Sequence, residues 1–594
     1  ERRGKQKMAL IAWYKLDGNA LDSSGNGHHG SASNMSWDNG KIGQCGNFNG
    51  SSSYIEVEDS PALRLSGSSF AIALWVKYRN NPGNYARLVD KKINTNGSGD
   101  GWMIWLSSGR SVAFGSSGAD RRNLFSVNDN AWSHVVWVVD NHIWRGYLDG
   151  ELMYEESVGV FNADVSPKMR IGTSPAGSRY FDGQIDDVRI YDHALSPKEV
   201  KELAKAKILH YKFDDFQEPT INLMPATCDY GDFENDARTS IGVYNNGSSS
   251  GVVVTHSIVS AVAEGIPKPP NGSDKVLKIT VDNTVGYTGN VGWYLLTNST
   301  HGTVCLANKQ YTQSAWMLMP KEITAQGFTN NSGITNNTII RPAPDGSSWK
   351  HYSRTFTVGT SNYTGGLHYY AKMPGQVYSF YMDMHQLEEK PYVTEYAKGE
   401  RSGTVHDSSG YDNHAELALA TTPRWVGKEE SKIGSGAYDF NEKEVSRDLI
   451  CPEEGTISFW TKIKSWNMNS ATLLSISQTS SNYPMWVYYN TNGQLGVSLL
   501  DSTYPRKTVS SFFTLNEWTH VAFTFKNGGE CCIYKNGQYV DNFNSSGITP
   551  PTGSKFFIGD LRGGRGLQCN SFIDDVRIYA TVLSDEDILE LYQT

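Results

Sequence analysis

Paired carboxylates are the residues of this chain that could break a glycosidic bond, and two stretches carry them. Two acids on one face of a strand can act as nucleophile and proton donor, because strand side chains alternate between faces. Glu56 and Glu58 in YIEVED have this spacing, whereas DEDILE, from Asp585 to Glu590, lies in a predicted helix. We interpret the first pair as an exposed polar edge and the second stretch as a solvated helix face. The sequence therefore predicts a protein that is not an enzyme.

Acidic turns are the candidate metal sites, and they occur twice. The run DSSGNGHHG starts at Asp22, and IDDVRIY carries Asp186 and Asp187. Ca²⁺ takes about six to eight hard oxygen ligands, which acidic loops supply as carboxylates and carbonyls together. We predict a calcium site formed by Asp22 with Asp186 or Asp187. The equivalent acids of the second half, predicted to form a second site, are Asp407 with Asp574 or Asp575. Two alternatives stay open: a turn capped by the Asp22 side chain, and an ion pair of Asp187 with Arg189.

Aromatic side chains could stack on sugar rings, and the two halves repeat several of them in register. Four tryptophans at equivalent positions are expected in the core: Trp75, Trp132, Trp460 and Trp518. Trp102 and Trp486 also correspond, 384 residues apart, and we predict that these two contact a glycan ligand. His134 and His520 each follow a tryptophan by two positions at a strand start. We interpret both histidines as packed structural residues with one hydrogen-bonded nitrogen.

These residues belong to an internal duplication. DSSGYDNHA at Asp407 repeats DSSGNGHHG 385 residues after Asp22, and the second IDDVRIY lies 388 residues after the first. The opening strand breaks this rule, because HYKFD around Tyr211 follows WYKLD around Tyr14 by only 197 residues. The difference of 188 residues indicates an insertion after the first strand of the second copy. Sandwich loops tolerate such insertions, since their two ends lie close together at the surface.

The elements that position these residues are predicted to be short antiparallel strands. Segments such as AIALWVKY and THVAFTFKN alternate with period two and are rich in aromatic and β-branched residues. Turn signals such as LDGE and KNGQ separate the strands. LSPKEVKELA and LSDEDILELY each predict a short N-capped helix that closes a copy. We therefore predict an all-β chain of three antiparallel β-sandwich (jelly-roll) domains, the last one discontinuous.

Bulk composition argues against several classes of partner. The 594 residues carry a net charge of −9, which argues against nucleic acid because phosphate contacts need Lys and Arg surfaces. No apolar run approaches about 18 residues, so we predict no membrane span, and no signal-peptide pattern is found. The seven cysteines lack metal-ligand spacing and are predicted to be free thiols of a protein made in a reducing cytoplasm. Residues 1–8 are predicted to be an N-terminal extension.

Each copy resembles a known family. The motifs LDSSGNGHHG, FAIALWVK, AWSHVVWVVD and IDDVRIYDHALSPKEV resemble laminin-G-like, concanavalin A-like lectin/glucanase jelly rolls found in bacterial and phage proteins. TINLMPATCDYGDFE and YMDMHQLEEKPYVTEY resemble a carbohydrate-binding-module jelly roll with a closing strand common in phage tail proteins. The resemblance implies a first sandwich over 9–206, a second over 208–216 plus 401–594, and an inserted jelly roll over 217–400. A calcium site at the sandwich edge is also common in the family.

The resemblance further implies a non-catalytic adhesion role. We expect a bacteriophage virion protein (tail fibre, receptor-binding or capsid decoration) that recognises cell-surface polysaccharide or glycan and contacts other virion proteins. Several weak sugar sites on linked modules would raise the effective affinity. The open alternatives are a bacterial surface or secreted adhesin, the accessory binding region of a polysaccharide-degrading enzyme, and a capsid-cementing protein without sugar binding. Localisation in the virion is expected for the phage protein, and an oligomer is left open.

Overall fold

A computed structural model divides the chain into two compact units. Unit 1 comprises Glu1–Phe216, Val405–Ala415 and Pro423–Thr594, and unit 2 comprises Gln217–Thr404 and Glu416–Thr422. The structure describes residues 10–65, 69–80, 85–93, 100–107, 110–116, 119–158, 166–214, 220–221, 223, 241–245, 251–289, 291–296, 305–323, 325–328, 334–363, 366–390, 400–401, 403–417, 422–441, 443–466, 468–477, 485–499, 506–526, 528–545, 554–561 and 567–594. The predicted extension over residues 1–8, Cys228 and most of TINLMPATCDYGDFE lie outside the described residues.

Repeat 1, over residues 10–206, forms two antiparallel sheets that we call front and back. The front sheet runs in the order Glu151–Ser157, Ile143–Leu148, Trp132–Asp140, Ser69–Asn80, Asp182–Tyr191, Gln44–Asn49 and Ser36–Asn39, and Leu10–Tyr14 pairs with Asp182–Tyr191. The back sheet runs Ala119–Ser126, Ser111–Ser116, Trp102–Leu106, Ala86–Asp90, Met169–Ile171, Tyr54–Val57 and Gly30–Ser33. A short 3₁₀ helix, Pro61–Arg64, lies along the chain between the back-sheet strand Tyr54–Val57 and the front-sheet strand Ser69–Asn80.

Repeat 2 has the same two-sheet arrangement. Its front sheet runs Arg424–Gly427, Gly436–Asp439, Ser571–Tyr579, Glu454–Ile463, Trp518–Lys526, Glu530–Lys535 and Gln538–Asn544. Its back sheet runs Val445–Asp448, Lys555–Ile558, Ala471–Ser477, Met485–Tyr489, Leu495–Leu499 and Arg506–Val509. Lys207–Tyr211, which precedes unit 2 in sequence, pairs antiparallel with Ser571–Tyr579, as Leu10–Tyr14 does with Asp182–Tyr191 in repeat 1.

Alternation along the strands separates the inter-sheet core from the outer faces. In Ser69–Asn80, Leu74 belongs to the large buried cluster between the sheets, whereas Ala73 packs on the other side with Val200 of the closing helix. The closing helices are Pro197–Ala204 and Asp585–Gln593, each with a serine N-cap and a capping box as predicted.

A β-bulge at the two DDVR segments sets the position of the predicted site acids. Ile185 and Val188 both belong to the inter-sheet cluster although they are three residues apart. The extra residue is absorbed where Asp187 adopts φ +50°, so Asp186 and Asp187 both stay outside that cluster. Asp575 has φ +50° in the equivalent bulge of repeat 2.

Unit 2 is also built of antiparallel strands. One sheet runs Val253–Ser260, Lys275–Asp282, Val377–Glu388, Gln310–Leu318, Lys350–Val358 and Ile334–Ile340; a second runs Ile241–Asn245, Val291–Leu296, Gly366–Lys372 and Ala325–Phe328; Thr220–Ile221 pairs with Glu400–Arg401. A single-turn helix spans Ala261–Glu264, and short strands Gly403–Val405 and Ala415–Leu417 follow along the chain. The all-β prediction is confirmed. Among the described residues, no helix is long and apolar enough to cross a membrane.

Candidate functional site

Asp22 caps a turn, which was the alternative to calcium binding. Its Oδ1 accepts the backbone N–H of Trp13 and of Ser24 at 2.9 Å, and its Oδ2 accepts the backbone N–H of His28 at 2.9 Å. Burial acts to raise the pKa of Asp22, but these donors hold it below its ordinary value. Asp407 repeats the pattern with the backbone N–H groups of His210, Ser409 and Asn413.

Asp187 and Asp575 form ion pairs next to these turns. The Trp13 indole N–H donates to Asp187 at 2.6 Å, and the Arg189 guanidinium lies 3.1 Å from the same carboxylate. In repeat 2, Asp575 pairs with His210 Nε2 at 2.8 Å and with the Arg577 guanidinium at 2.8 Å. Burial acts to raise the pKa of Asp575, whereas these two partners hold it below its ordinary value.

These four carboxylates do not fit the predicted calcium sites. A cation needs oxygen ligands with free lone pairs, whereas N–H donors and guanidinium groups face these oxygens. Within the described part of the chain, no group of three or more His, Cys, Asp or Glu side chains is arranged to hold a metal ion. The capped turn and the ion pair therefore account for Asp22, Asp187, Asp407 and Asp575 in this structure.

Asp186 and Asp574 lie in buried cross-strand rows that the sequence did not reveal. Asp186 is the neighbour of Trp75, which is the neighbour of His134 on the next front-sheet strand. The Trp75 and His134 rings lie 4.9 Å apart between centroids. Asp186 Oδ2 accepts the backbone N–H of Ile42, while its Oδ1 is buried without a hydrogen-bond partner. Desolvation therefore raises the pKa of Asp186 well above its ordinary value, which suits a protonated acid rather than a calcium ligand.

Repeat 2 contains the same row, formed by Asp574, Trp460 and His520. Burial raises the pKa of Asp574 to about 7 and lowers that of His520 to about 4. His520 Nε2 lies 2.9 Å from the Ser458 hydroxyl, in agreement with the interpretation of a packed, hydrogen-bonded histidine. Burial likewise lowers the pKa of His134 to about 3, so both imidazoles are neutral near pH 7.

The two tryptophans predicted to contact a ligand are buried, which contradicts that prediction. Trp102 is fully buried in the inter-sheet core, and its indole N–H donates to the Leu63 carbonyl at 2.9 Å. Trp486 is 5% exposed and lies in a separate cluster with Tyr488 and Leu561.

The predicted equivalence of these tryptophans is also wrong by one residue. On the neighbouring strands, Gly115 of repeat 1 and Ser498 of repeat 2 occupy equivalent positions. Met103 pairs with Gly115 and Trp486 pairs with Ser498, so Trp486 corresponds to Met103. A shift of one residue along a strand moves a side chain to the other face of the sheet. Trp102 therefore faces the core, whereas Trp486 occupies the outer face of its sheet.

Of the four tryptophans predicted to be core residues, Trp75 and Trp460 are buried, whereas Trp132 and Trp518 are partly exposed. Trp132 lines a cavity of about 350 Å³ in unit 1, between residues of repeat 1 and repeat 2. The polar residues that line this cavity are Asn39, Lys41, Lys77, Asn130, Glu453, Glu454 and Lys526. We call it the inter-repeat cavity. It combines an accessible indole with amide, ammonium and carboxylate groups.

An ion pair between the buried Lys41 and the partly exposed Glu454 joins the two repeats at this cavity. Lys41 Nζ lies 3.1 Å from Glu454 Oε1 and 4.9 Å from the centre of the Trp75 ring. Burial lowers the pKa of Lys41, and the charge of Glu454 acts in the opposite direction. Lys526 Nζ approaches the other Glu454 oxygen at 3.7 Å. The Glu454 carboxylate is therefore held between two ammonium groups.

Sequence reasoning missed this cavity, although one signal was present. The tripeptide Lys-Ile-Gly recurs at Lys41 and Lys432, in turns whose backbone N–H groups contact Asp186 and Asp574. Glu454 has no acidic counterpart, because Ser69 starts the matching strand of repeat 1. A contact between two different surfaces of the repeats leaves no repeated pattern in the sequence.

Comparisons with known proteins agree with this fold. The family model for the concanavalin A-like lectin/glucanases superfamily matches residues 49–201 and 438–589, together just over half of the chain. The rat (Rattus norvegicus) sushi, von Willebrand factor type A, EGF and pentraxin domain-containing protein 1 is 30% identical over 121 residues, which are 18% of this chain and 3% of that protein. Paraclostridial mosquitocidal protein 1 of Paraclostridium bifermentans is 21% identical over 222 residues, 34% of this chain and 17% of that protein.

Among solved structures, domain 4 of AbnA is similar in fold. AbnA is a GH43 extracellular arabinanase from Geobacillus stearothermophilus, and that structure holds arabinotriose. It is 25% identical, covering 34% of this chain and all of that domain, with a TM-score of 0.29. The chain thus spans only a small fraction of the curated relatives that it matches. By the family match to both repeats, the chain belongs to the concanavalin A-like lectin/glucanases superfamily.

Proposed function

We propose that the chain is a non-catalytic adhesion protein that binds a glycan in the inter-repeat cavity. The observation that carries this proposal is the partly exposed Trp132 beside a polar lining. Sugar rings offer apolar C–H faces that pack on an indole, and hydroxyls that pair with amides, ammonium groups and carboxylates. Ligand pockets range from about 300 to 1,000 Å³, so a cavity of about 350 Å³ suits the end of a glycan rather than a long stretch.

Two features support binding without hydrolysis. A glycosidase needs one carboxyl group that keeps its proton for the leaving oxygen and a second that acts as base or nucleophile. At the inter-repeat cavity, both oxygens of the Glu454 carboxylate are engaged by the ammonium groups of Lys41 and Lys526. Asp186 and Asp574, two acids whose pKa burial raises, are fully buried and cannot reach a substrate. A reducing-sugar assay over a polysaccharide panel tests this, and turnover lost in Glu454→Gln would contradict it.

The finer part of the proposal places the protein in a bacteriophage virion, as a tail fibre, receptor-binding or capsid decoration protein. It rests on the resemblance of the 217–400 segment to phage tail modules. One shallow sugar site is weak, and repeated copies on a particle would raise the effective affinity. Mass spectrometry of particles purified from the source culture tests this part. Peptides in the virion fraction are expected, whereas peptides confined to the cell envelope would favour the adhesin alternative.

A glycan array with two matched variants tests the site. Trp132→Ala removes the indole at the cavity, whereas Trp518→Ala removes the equivalent, partly exposed indole of repeat 2, which lies outside the cavity lining. We expect Trp132→Ala to weaken binding to the best array ligand about tenfold, which corresponds to about 1.4 kcal/mol. Trp518→Ala should bind like the wild type. Equal binding by all three proteins would contradict the assignment of the cavity.

A further inference from the structure

The outer face of the back sheet in repeat 1 carries a cluster of charged side chains away from the inter-repeat cavity. Arg87 and Asp90 are almost fully buried and form an ion pair at 2.8 Å. Lys92, also buried, lies 3.2 Å from Asp120. The Arg87 guanidinium lies 5.4 Å from the centre of the Trp105 ring, which forms the floor of the cluster with Met103 and Ala113. We call this set the charged face of repeat 1.

The accessible rim of the charged face consists of two arginines beside a tyrosine. The guanidinium carbons of Arg179 and Arg122 lie 4.7 Å and 5.2 Å from the centre of the Tyr85 ring. The Arg122 side chain is 49% exposed, and its nearest carboxylate, on Asp120, lies 3.6 Å away and is shared with Lys92. Arg179 is also close enough for its charge to act against that of Arg87.

Among the described residues in these contacts, basic side chains outnumber acidic ones. Four basic side chains, Arg87, Lys92, Arg122 and Arg179, stand beside two acids, Asp90 and Asp120. A local cluster of basic side chains attracts anions even though the chain as a whole has a net charge of −9.

Repeat 2 shows that the fold does not require these charges. The backbone N–H of Arg87 donates to the Arg179 carbonyl in repeat 1, and the backbone N–H of Thr472 donates to the Leu567 carbonyl in repeat 2. Thr472 and Leu567 therefore occupy the positions of Arg87 and Arg179. The remaining strand pairings place Ser475 where repeat 1 has Asp90.

The equivalent face of repeat 2 is packed instead by aromatic and aliphatic side chains. Trp486, Tyr488 and Leu561 form its buried cluster, with Leu567 against it. Burying ion pairs is often no better for stability than an apolar cluster of similar volume. Charges at Arg87, Asp90 and Arg179, where the same fold uses Thr472, Ser475 and Leu567, therefore indicate a binding role.

We propose that the charged face of repeat 1 binds the anionic group of an acidic saccharide through Arg122 and Arg179, with Tyr85 against the sugar ring. This inference rests on the proposed glycan-binding function and adds a second site and a ligand class. A guanidinium presents N–H donors in a planar fork that matches a carboxylate or a sulfate. The buried pairs Arg87–Asp90 and Lys92–Asp120 hold the rim in place from beneath.

Titration calorimetry with matched ligands and variants tests the proposal on the full chain. Trigalacturonate and its methyl ester share the same sugar chain and differ in charge and in the ester methyl groups, and dextran sulfate with dextran gives the sulfate counterpart. The test protein is Arg122→Gln/Arg179→Leu, in which Leu is the residue that repeat 2 uses at the second position. The control is Arg121→Gln, which removes one positive charge from a neighbouring arginine that is paired with Glu156. Circular dichroism and the melting temperature check that each variant is folded.

We expect the wild type and Arg121→Gln to bind at least one acidic ligand at least tenfold more tightly than its uncharged partner. The double variant should lose that preference, and the acidic ligand that shows it identifies a carboxylate or a sulfate. Unchanged acidic binding in the folded double variant, or acidic binding lost only in Trp132→Ala, would overturn the inference. Neutral glycans bound without any acidic preference would overturn it and leave the proposed function standing. Absence of all glycan binding would overturn both.

Discussion

Replacing Asp574 by Asn is expected to remove a large pH-dependent loss of stability. Asp574 is fully buried, and its Oδ2 accepts the backbone N–H groups of Lys432 at 2.8 Å and Ile433 at 2.9 Å. Burial raises its pKa from 3.8 to about 7. Because the folded state holds the proton more tightly than the unfolded state, the stabilisation is complete below about pH 4. It is lost as the pH rises through about 7.

The size of the effect follows from the shift in pKa. Each pH unit between the unfolded and folded pKa values is worth about 1.4 kcal/mol, so about three units give about 4 kcal/mol. Asparagine keeps an acceptor oxygen for the two backbone N–H groups and carries no proton that titrates. The stability of Asp574→Asn relative to the wild type should therefore rise by about 4 kcal/mol between pH 4 and pH 8.

Urea denaturation at pH 4, 5, 6, 7 and 8, followed by tryptophan fluorescence, measures this difference. Asp575→Asn is a matched control, because the folded state lowers the pKa of Asp575. Its stability relative to the wild type should be lowest above the unfolded pKa and should recover as the pH falls. The reasoning would be refuted if the stability of Asp574→Asn relative to the wild type did not change with pH. It would also be refuted if that relative stability changed with pH in the same direction as that of Asp575→Asn.

Three further predictions concern the contacts described above. Glu454→Gln leaves Lys41 buried without its counter-charge and should cost about 3 kcal/mol in unit 1, and Lys41→Met/Glu454→Gln should recover most of it in thermal melts. Asp22→Ala leaves the N–H groups of Trp13 and His28 without their acceptor and should cost about 1–3 kcal/mol, whereas EDTA or added CaCl₂ should not shift the wild-type melting temperature. Gly496→Ala places a Cβ in steric conflict with the Tyr488 ring and should lower the melting temperature at a cost of about 1–3 kcal/mol; an unchanged melt would contradict this packing.

Strand pattern and repeat offsets carry much of the fold. The separation of 197 residues between Tyr14 and Tyr211 predicts that Lys207–Tyr211 enters the second copy, and it pairs with Ser571–Tyr579. Period-two alternation identifies the strands, because one face of each must meet the core. The serines before both closing helices cap them as predicted, since a capping box is a local pattern.

The site was harder to predict, for physical reasons that differ between residues. The face occupied by Trp486 depends on a one-residue shift relative to Trp102, and a single loop residue produces such a shift. Asp22 carries the residue type of a calcium ligand, but the direction of backbone N–H groups in its turn decides what its oxygens accept. Glu454 contacts Lys41 across the two copies, and nothing local in the sequence marks a residue for a distant partner.

Hydrogen–deuterium exchange of the full chain, with and without the best array glycan, tests the central claim most directly. If the inter-repeat cavity binds the glycan, slower exchange is predicted in peptides that contain residues 39–43, 130–132 and 450–454, which line the cavity. The same peptides of Trp132→Ala should show little change at that glycan concentration. Protection confined to unit 2, with the three cavity peptides unchanged in the wild type, would contradict the account.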